Sequence, residues 1–327
     1  MSAVELTVVI PIRNEEASLV ELQREFTETL TAWGRPYEII VVDDGSTDQS
    51  FQILTRLQAA DARLRVIRFR RNFGQTAAFA AGFAHARGRL IATSDGDLQN
   101  DPHDIPAMIA MLDGRFDIVC GWRKDRKDAF VSRRLPSVMA NGLISAVTGV
   151  HLHDYGCSLK VFRAEIVKDM KLYGEMHRFL PAIASEQTSS IGEMVVNHRP
   201  RKYGQSKYGI GRTVRVVLDL LTVKFLLSYS TRPLQIFGLI GIAMGLAGAV
   251  ISGGLAIQRL REVASLDQHM PLLLLGILLI FTGFQLVTLG LLAELQVRTY
   301  HESQNKSIYV IRDILQTPSA ELLVSAR

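Results

Sequence analysis

Two long apolar stretches late in the chain constrain its fold most, because exposing them to water is unfavourable. Residues 233–257 and 271–293 lack charged side chains, the first being rich in glycine and the second in leucine. Each exceeds the roughly 20 apolar residues that a helix needs to cross a bilayer. The sequence therefore predicts a two-helix transmembrane hairpin within residues 232–296.

The charges around this hairpin predict its orientation. The connecting loop holds only Arg259 and Arg261, whereas cations are more numerous on both outer sides. In membrane proteins the excess of lysine and arginine lies on the cytoplasmic side. Both ends of the chain are therefore expected in the cytoplasm, with residues 297–327 as a cytoplasmic tail. The flanking cations are Arg215, Lys224, Arg232, Arg298, Lys306 and Arg312.

The first 209 residues have a different pattern, in which short apolar runs alternate with segments of helical spacing. The runs at 6–12, 37–42 and 64–69 are typical of strands buried on both faces. Further strands are expected from residue 90 and over 117–121. This alternation indicates right-handed βαβ units. Residues 1–209 are thus expected to form one α/β domain of Rossmann type, a mostly parallel sheet with flanking helices.

Polar clusters follow four of the predicted strands. They lie at Arg13–Glu16, Asp43–Ser46, Asp95–Gln99 and Arg123. In parallel α/β sheets, ligands bind beyond the carboxyl ends of the strands. The four clusters are therefore expected to converge on one binding site.

The acidic cluster has the pattern of a site for a hard cation. Asp95 and Asp97 stand two positions apart, so on an extended backbone their side chains point to the same face, and Gln99 offers a third oxygen. Such oxygens suit Mg or Mn rather than zinc. A calcium loop is excluded, since Asn100 and Pro106 replace its glycine and its last carboxylate. The simpler alternative is a solvated acidic turn, and its position among the other clusters argues against that.

The basic residues point to phosphates. A formal net charge of +5 favours an anionic partner, and no interleaving of aromatic and basic residues supports nucleic acid. Residues 198–208 concentrate cations with glycine and serine, a composition that can surround a phosphate. No glycine-rich phosphate loop is present, so a metal is needed to hold a diphosphate. Residues 210–231 are amphipathic and are expected either at the membrane interface or packed on the soluble domain.

Seven motifs, taken in order, carry a resemblance to a known family. They are Val-Ile-Pro-Ile-Arg-Asn-Glu (9–15), Val-Asp-Asp-Gly-Ser (42–46), Arg-Asn-Phe-Gly-Gln (71–75), Asp-Gly-Asp-Leu-Gln (95–99), Gly-Trp-Arg (121–123), Asp-Tyr-Gly-Cys (154–157) and Arg-Lys-Tyr-Gly-Gln-Ser-Lys (201–207). With them the chain resembles family 2 glycosyltransferases of the GT-A fold. More narrowly, it is similar to the polyprenyl-phosphate glycosyltransferases, which include the dolichyl-phosphate mannose synthase group and bacterial two-helix enzymes acting on undecaprenyl phosphate.

The resemblance implies a role for each matching position. The nucleotide would be bound by Pro11, Arg13, Glu15, Asp43 and Asp44, and Mg or Mn on the donor diphosphate by Asp95, Asp97 and Gln99. Donor or acceptor phosphates would engage Arg123, Arg134, Arg201, Ser206 and Lys207, with Arg133 the alternative to Arg134. Asp97, Arg123 and Asp154 would be the catalytic residues, with Asp154 near the transferred sugar. Gly96 stands where the group usually has alanine, which is expected to loosen the turn.

The resulting hypothesis is an inverting, metal-dependent transfer of one sugar from a nucleotide diphosphate sugar to polyprenyl (undecaprenyl) phosphate. The reaction would occur at the cytoplasmic face of a bacterial inner membrane, with a UDP-sugar donor by analogy to the two-helix enzymes. One alternative is a processive polysaccharide synthase, and another is a non-catalytic, membrane-tethered protein that binds sugar nucleotides. Glycines in the first membrane helix also permit a homo-oligomer.

Overall fold

The computed structural model describes residues 4–124, 141–203, 233–260, 266–303 and 308–317, with gaps in the second range at 143, 146–147, 169, 171, 173–175, 186, 189 and 201. The chain divides into two compact units. One comprises Met1–Leu221 and Ser307–Arg327, and the other Thr222–Lys306.

The first unit is built on an eight-stranded sheet. Its strands are β1 (Leu6–Ile12), β2 (Tyr37–Asp43), β3 (Leu64–Phe69), β4 (Leu90–Thr93), β5 (Ile118–Trp122), β6 (Lys160–Arg163), β7 (Ile191–Val195) and β8 (Ile311–Leu315). The order across the sheet is β7-β5-β6-β4-β1-β2-β3-β8. Only β6 and β8 run antiparallel to their neighbours. The predicted mostly parallel α/β architecture is therefore confirmed.

Six helices of this unit have both ends within the described residues, and each has buried side chains. They are α1 (Leu19–Trp33), α2 (Ser50–Ala60), α3 (Gln75–His85), α4 (Ile105–Arg115), α5 (Ala164–Lys168) and α6 (Leu180–Ala184), with 3₁₀ turns at Pro102–Asp104 and Met176–Phe179. Helix α1 shows the principle, since Leu19, Leu22, Phe26 and Leu30 are buried at helical spacing. Gly34 ends it with a φ of 76°, in the left-handed region that glycine adopts at little cost.

The end of the chain holds a strand that the sequence analysis did not predict. Within residues 297–327, expected only as a tail, β8 pairs antiparallel with β3 at the edge of the sheet. The ring of Tyr309 stacks on Phe69 with centroids 5.2 Å apart. Arg65 Nε donates to Gln316 Oε1 at 3.2 Å, beside its 2.9 Å salt bridge with buried Glu38. The segment after the hairpin thus belongs to the same sheet as β1–β7.

The second unit is a pair of long helices, α7 (Pro233–Leu260) and α8 (Leu266–Ser303). Within them, Phe237–Arg259 and His269–Ala293 are long and apolar enough to cross a membrane, in agreement with the predicted spans. Large apolar side chains face outward, with Val250 74% and Phe284 70% exposed. A surface of this kind is stable in lipid and unfavourable in water.

Glycines hold α7 and α8 in close contact. Gly241 lies against Gly283, and Gly248 against Gly276, so that backbone meets backbone. A Cβ atom at Gly241 would stand only 2.5 Å from the carbonyl oxygen of Gly283. Small residues permit this approach between membrane helices, where van der Waals packing drives association. These glycines therefore pack the two helices of one chain together, and the homo-oligomer that they also permit stays a prediction.

We expect Gly241→Val to separate the two helices. The added side chain collides with backbone that cannot move aside, and overpacking of this kind costs about 1–3 kcal/mol. The matched control is Gly254→Val on the same helix, where a Cβ meets nothing within 4 Å. Thermal unfolding of the purified proteins in detergent should show a lower midpoint for the first variant only. Equal midpoints would contradict this packing.

Candidate active site

The four polar clusters lie at one edge of the sheet. Strands β1, β2 and β4 are parallel, and β5 runs in the same direction because β6 is antiparallel to both β4 and β5. Their carboxyl ends therefore meet at the same edge, as the sequence predicts.

The acidic turn after β4 is packed tightly against the end of β1. A Cβ atom at Gly96 would lie 2.6 Å from Cγ2 of Ile12, and Ser18 Oγ donates to the carbonyl of Gly96 at 2.9 Å. Leu98 has a φ of 62°, a left-handed conformation that costs a leucine energy. A side chain at position 96 would thus have to displace Ile12, so the turn is closely packed against β1. The loosening expected from glycine stays a prediction.

Hydrogen bonds fix the side chains of this turn. Gln75 Nε2, on the first residue of α3, donates to Asp95 Oδ1 at 2.8 Å. The backbone nitrogen of Gln99 donates to Asp97 Oδ1 at 3.2 Å. Burial, and after it the charge of Asp97, raises the pKa of Asp95, while Arg123 and Lys160 act in the opposite sense. The turn therefore concentrates negative charge in a place poorly solvated by water.

This arrangement fits a hard divalent cation. In the part of the chain that the structure describes, no three His, Cys, Asp or Glu side chains gather into a metal cluster. A cation here would take its protein ligands from two carboxylates and the amide oxygen of Gln99, leaving positions for phosphate oxygens. Mg and Mn accept such oxygen sets and commonly retain substrate phosphates as ligands. A bound cation would also offset the repulsion that raises the pKa of Asp95.

Arg123, the first residue after β5, is joined to Asp154 in a two-pronged ion pair. Its Nε and Nη2 atoms lie 2.7 and 3.1 Å from Oδ2 and Oδ1 of Asp154. Asp154 is only 2% exposed. Burial opposes the charged guanidinium, but the hydrogen bonds to Asp154 outweigh it and raise the pKa of Arg123. Arg123 is therefore a fixed positive charge, and its field reaches Asp95.

Glu193 on β7 holds the loop that carries Asp154. Its Oε1 atom accepts from the backbone nitrogens of His153 and Asp154, at 2.8 and 3.3 Å. The ring of His153 in turn stacks on Trp122, with centroids 4.1 Å apart. The loop is thus attached to the strand that precedes Arg123 and to its neighbour β7.

The clusters after β1 and β2 interlock. Asn14, with a φ of 55°, accepts from the backbone of Thr47 at 2.8 Å and donates its own backbone N–H to Ser46 Oγ at 3.0 Å. Pro11 is buried, Glu15 is half-buried and Arg13 is exposed.

Asp43 and Asp44 differ in how their carboxylates are used. Asp44 accepts from the backbone nitrogens of Phe73 and Gly74 at 2.7 and 3.0 Å. Asp43 Oδ1 accepts from Ser46, whereas its buried Oδ2 has no hydrogen-bond partner among the described residues. Asp44 thus anchors the start of α3, while the enclosed Oδ2 atom of Asp43 lies 3.8 Å from Nε of Arg68.

Several predicted residues lie outside the described part of the chain. These are Arg134 with its alternative Arg133, then Arg201, Ser206 and Lys207, together with the amphipathic segment 210–231. Two described cations on either side of Arg201 are paired with carboxylates. Arg199 contacts Asp101 at 2.8 Å and Glu25 at 2.7 Å, and Lys202 contacts Glu21 at 2.8 Å. Not every cation of the basic segment is therefore available to a phosphate.

Two residues near the acidic turn received no role in the sequence analysis. Gln75 closes the motif at 71–75, yet nothing in that motif reveals a bond to Asp95. Lys160 on β6 is 2% exposed, and its ammonium group donates to the carbonyl oxygen of Cys157. A charged residue at the start of a short apolar run is the only sequence signal for a buried cation.

The chain is similar to known proteins over nearly its whole length. Residues 7–171 match the family described as glycosyl transferase family 2. A dodecaprenyl-phosphate galacturonate synthase from Rhizobium johnstonii is 45% identical over 98% of this chain and 95% of its own length. An undecaprenyl-phosphate 4-deoxy-4-formamido-L-arabinose transferase from Edwardsiella ictaluri is 36% identical over 95% of this chain and 94% of its own.

Solved structures support the fold. Glucosyl-3-phosphoglycerate synthase from Mycobacterium tuberculosis, in complex with Mn²⁺ and UDP-glucose, superposes with a TM-score of 0.54 at 18% identity, covering 67% of this chain and 78% of that one. Mannosyl-3-phosphoglycerate synthase from Rubrobacter xylanophilus gives 0.55 at 13% identity, covering 68% and 74%. At such identities the likeness establishes the shared architecture of the first unit.

We expect Asp154→Ala to destabilise the protein, because it leaves the enclosed Arg123 guanidinium without its partner. Breaking a buried ion pair from one side costs about 3–5 kcal/mol. The double variant Arg123→Ala/Asp154→Ala should recover part of that loss. Glu28→Ala is the control, since its pair with Arg24 is exposed and should contribute little. Denaturant unfolding of each purified protein provides the comparison, and an Asp154→Ala protein as stable as the control would refute the buried pair.

Proposed function

Because the chain belongs to glycosyl transferase family 2, we propose that it transfers a single sugar from a nucleotide diphosphate sugar to a polyprenyl phosphate. The motif-based resemblance to this family is thereby confirmed, and so is the assignment of the chain as a glycosyltransferase. The proposal rests above all on one combination, an acidic turn beside a fixed arginine in the same chain as two membrane-length helices.

The donor diphosphate is assigned to the acidic turn. Asp95, Asp97 and Gln99 would hold a Mg or Mn ion there. When bound, the cation acts as a Lewis acid that stabilises the negative charge on the departing nucleotide diphosphate. Arg123 adds a positive charge at the same edge of the sheet, locked in place by Asp154 before any substrate arrives.

The acceptor phosphate needs little help to become a nucleophile. A phosphate monoester has its second pKa near about 6, so it is largely dianionic at neutral pH. A strong general base is therefore unnecessary, and Asp154 is not assigned that role. Its bidentate bond to Arg123 supports a positioning role instead. The protein's main task is to bring two anions together and align them, which arginines and lysines do by charge and geometry.

The nucleotide is assigned to the clusters after β1 and β2. Asp43 is buried, with Oδ2 3.8 Å from Arg68 Nε and Oδ1 accepting from Ser46, so we propose that it serves the nucleotide by fixing this turn. Pro11, Arg13 and Glu15 border the same edge. Asp44 also stays assigned to the nucleotide, since each of its oxygens accepts one backbone N–H and keeps a second lone pair for a base N–H or a ribose hydroxyl.

For the sugar, galacturonate is our first candidate and a 4-amino-4-deoxy-arabinose derivative the second. Galacturonate comes first because the galacturonate synthase is 45% identical in sequence to this chain, against 36% for the arabinose transferase. Both alignments cover at least 95% of the chain. A UDP-sugar is the proposed donor.

The membrane arrangement follows from the chain path. Because β8 lies in the same sheet as β1–β7, the segments before and after the hairpin belong to one folded unit. This supports our proposal that the catalytic domain and both termini lie on the cytoplasmic side of a bacterial inner membrane. The homo-oligomer stays a prediction.

We expect purified full-length protein with Mn²⁺ to convert undecaprenyl phosphate and one member of a UDP-sugar panel into a lipid-linked monosaccharide, identified by mass spectrometry. Asp97→Ala should lower the rate by at least about 100-fold with metal and donor saturating, as loss of a principal electrostatic group does. Glu28→Ala on the exposed face of α1 is the matched carboxylate control.

The products also separate the alternatives. A lipid carrying a polymer would favour a processive synthase, and donor binding without any product would favour a non-catalytic protein. Full activity of Asp97→Ala would overturn the proposed metal site.

A further inference from the structure

Arg199 connects three parts of the first unit. Its Nη1 atom lies 2.7 Å from Glu25 on α1, and its Nη2 atom 2.8 Å from Asp101, two residues beyond Gln99. Asp101 also accepts from Asn197 Nδ2 at 2.9 Å. Arg199 is thus held between two carboxylates, and both its terminal nitrogens are engaged.

The backbone of Arg199 makes two hydrogen bonds to Gln99, one to its backbone and one to its side-chain amide. The backbone nitrogen of Arg199 donates to the carbonyl of Gln99 at 2.9 Å, and Gln99 Nε2 donates to the carbonyl of Arg199 at 3.4 Å. A bridge between Asn100 and His198 continues this pairing. The ion pairs of the side chain therefore fix the backbone atoms that orient the Gln99 amide.

Orientation matters because the two ends of an amide differ in chemistry. Only the oxygen can bind a cation, whereas the NH₂ group repels one. With Nε2 directed to the carbonyl of Arg199, the oxygen of Gln99 remains available on the other side of the same carbon. Partners outside the ligand set commonly tune metal affinity in this way.

We propose that Arg199 is a positioning residue that presents the Gln99 oxygen to the divalent cation. The inference rests on the proposed metal site and adds a residue to which no metal-related role was assigned. Both terminal nitrogens of Arg199 already contact carboxylates, Asp101 and Glu25, which favours a positioning role over that of a phosphate ligand.

The test measures Mn²⁺ binding by full-length protein, using electron paramagnetic resonance of free Mn²⁺ with UDP at fixed concentration. Arg199→Met should weaken binding by about 10-fold or more, the effect typical of losing an outer-shell partner. Arg199→Lys, which can keep one of the two ion pairs, should lose less. Lys202→Met is the matched control, a nearby cation paired with α1 through Glu21 alone, and should bind as the parent does.

A double-variant cycle distinguishes positioning from general loosening. If Arg199 acts through Gln99, adding Arg199→Met to Gln99→Ala should cause no further loss of Mn²⁺ affinity. An equal loss on both backgrounds, or parental affinity in Arg199→Met, would overturn the assignment. Should Asp97→Ala bind Mn²⁺ as tightly as the parent, the metal site itself would fall, and this inference with it. Thermal unfolding of each variant verifies that the fold is intact.

Discussion

The structure depends on holding two half-buried carboxylates, Asp95 and Asp97, close together at the end of a strand. Burial and mutual repulsion raise the pKa of Asp95, so the site needs positive charge from elsewhere. The fold supplies it through Arg123, held by Asp154, and through Lys160, buried in β6. Gln75 adds a neutral hydrogen bond to Asp95 from the start of α3. In the function that we propose, a divalent cation with its diphosphate would complete this balance. The same charge that makes the turn unfavourable alone makes it selective for a metal-bound anion.

Antiparallel β6 brings these groups together. Inserted between β4 and β5, it places Lys160 opposite Thr93 and Cys120 and brings the loop with Asp154 to the same edge as the acidic turn. A purely parallel sheet would pair β4 directly with β5 and leave no room for that loop. The one antiparallel strand between β4 and β5 therefore brings Lys160 and the Asp154 loop to the acidic turn.

The sequence predicted features that repeat a short-range pattern. Strands β1 and β3 were placed at their observed limits because continuous apolar runs are unambiguous, and both membrane-length helices followed from composition. Strands β6, β7 and β8 were missed because charged residues interrupt their short apolar runs, whereas the equally short β4 and β5 contain none. Likewise the residues of the acidic turn were readable from spacing, whereas the pairs Arg123–Asp154 and Arg199–Asp101 join positions 31 and 98 residues apart. Only the folded chain reveals which charges neutralise one another.

The position of β8 has a consequence for biosynthesis. Chains emerge from the ribosome beginning at the N-terminus, and domains fold in that order. Strands β1–β7 are therefore made first, and the edge of β3 lacks its partner until both apolar helices have been synthesised. An open sheet edge is prone to pair with other chains. The sheet can therefore be completed only after both apolar helices have been made. A chain that stalls within the hairpin keeps the edge of β3 without its β8 partner.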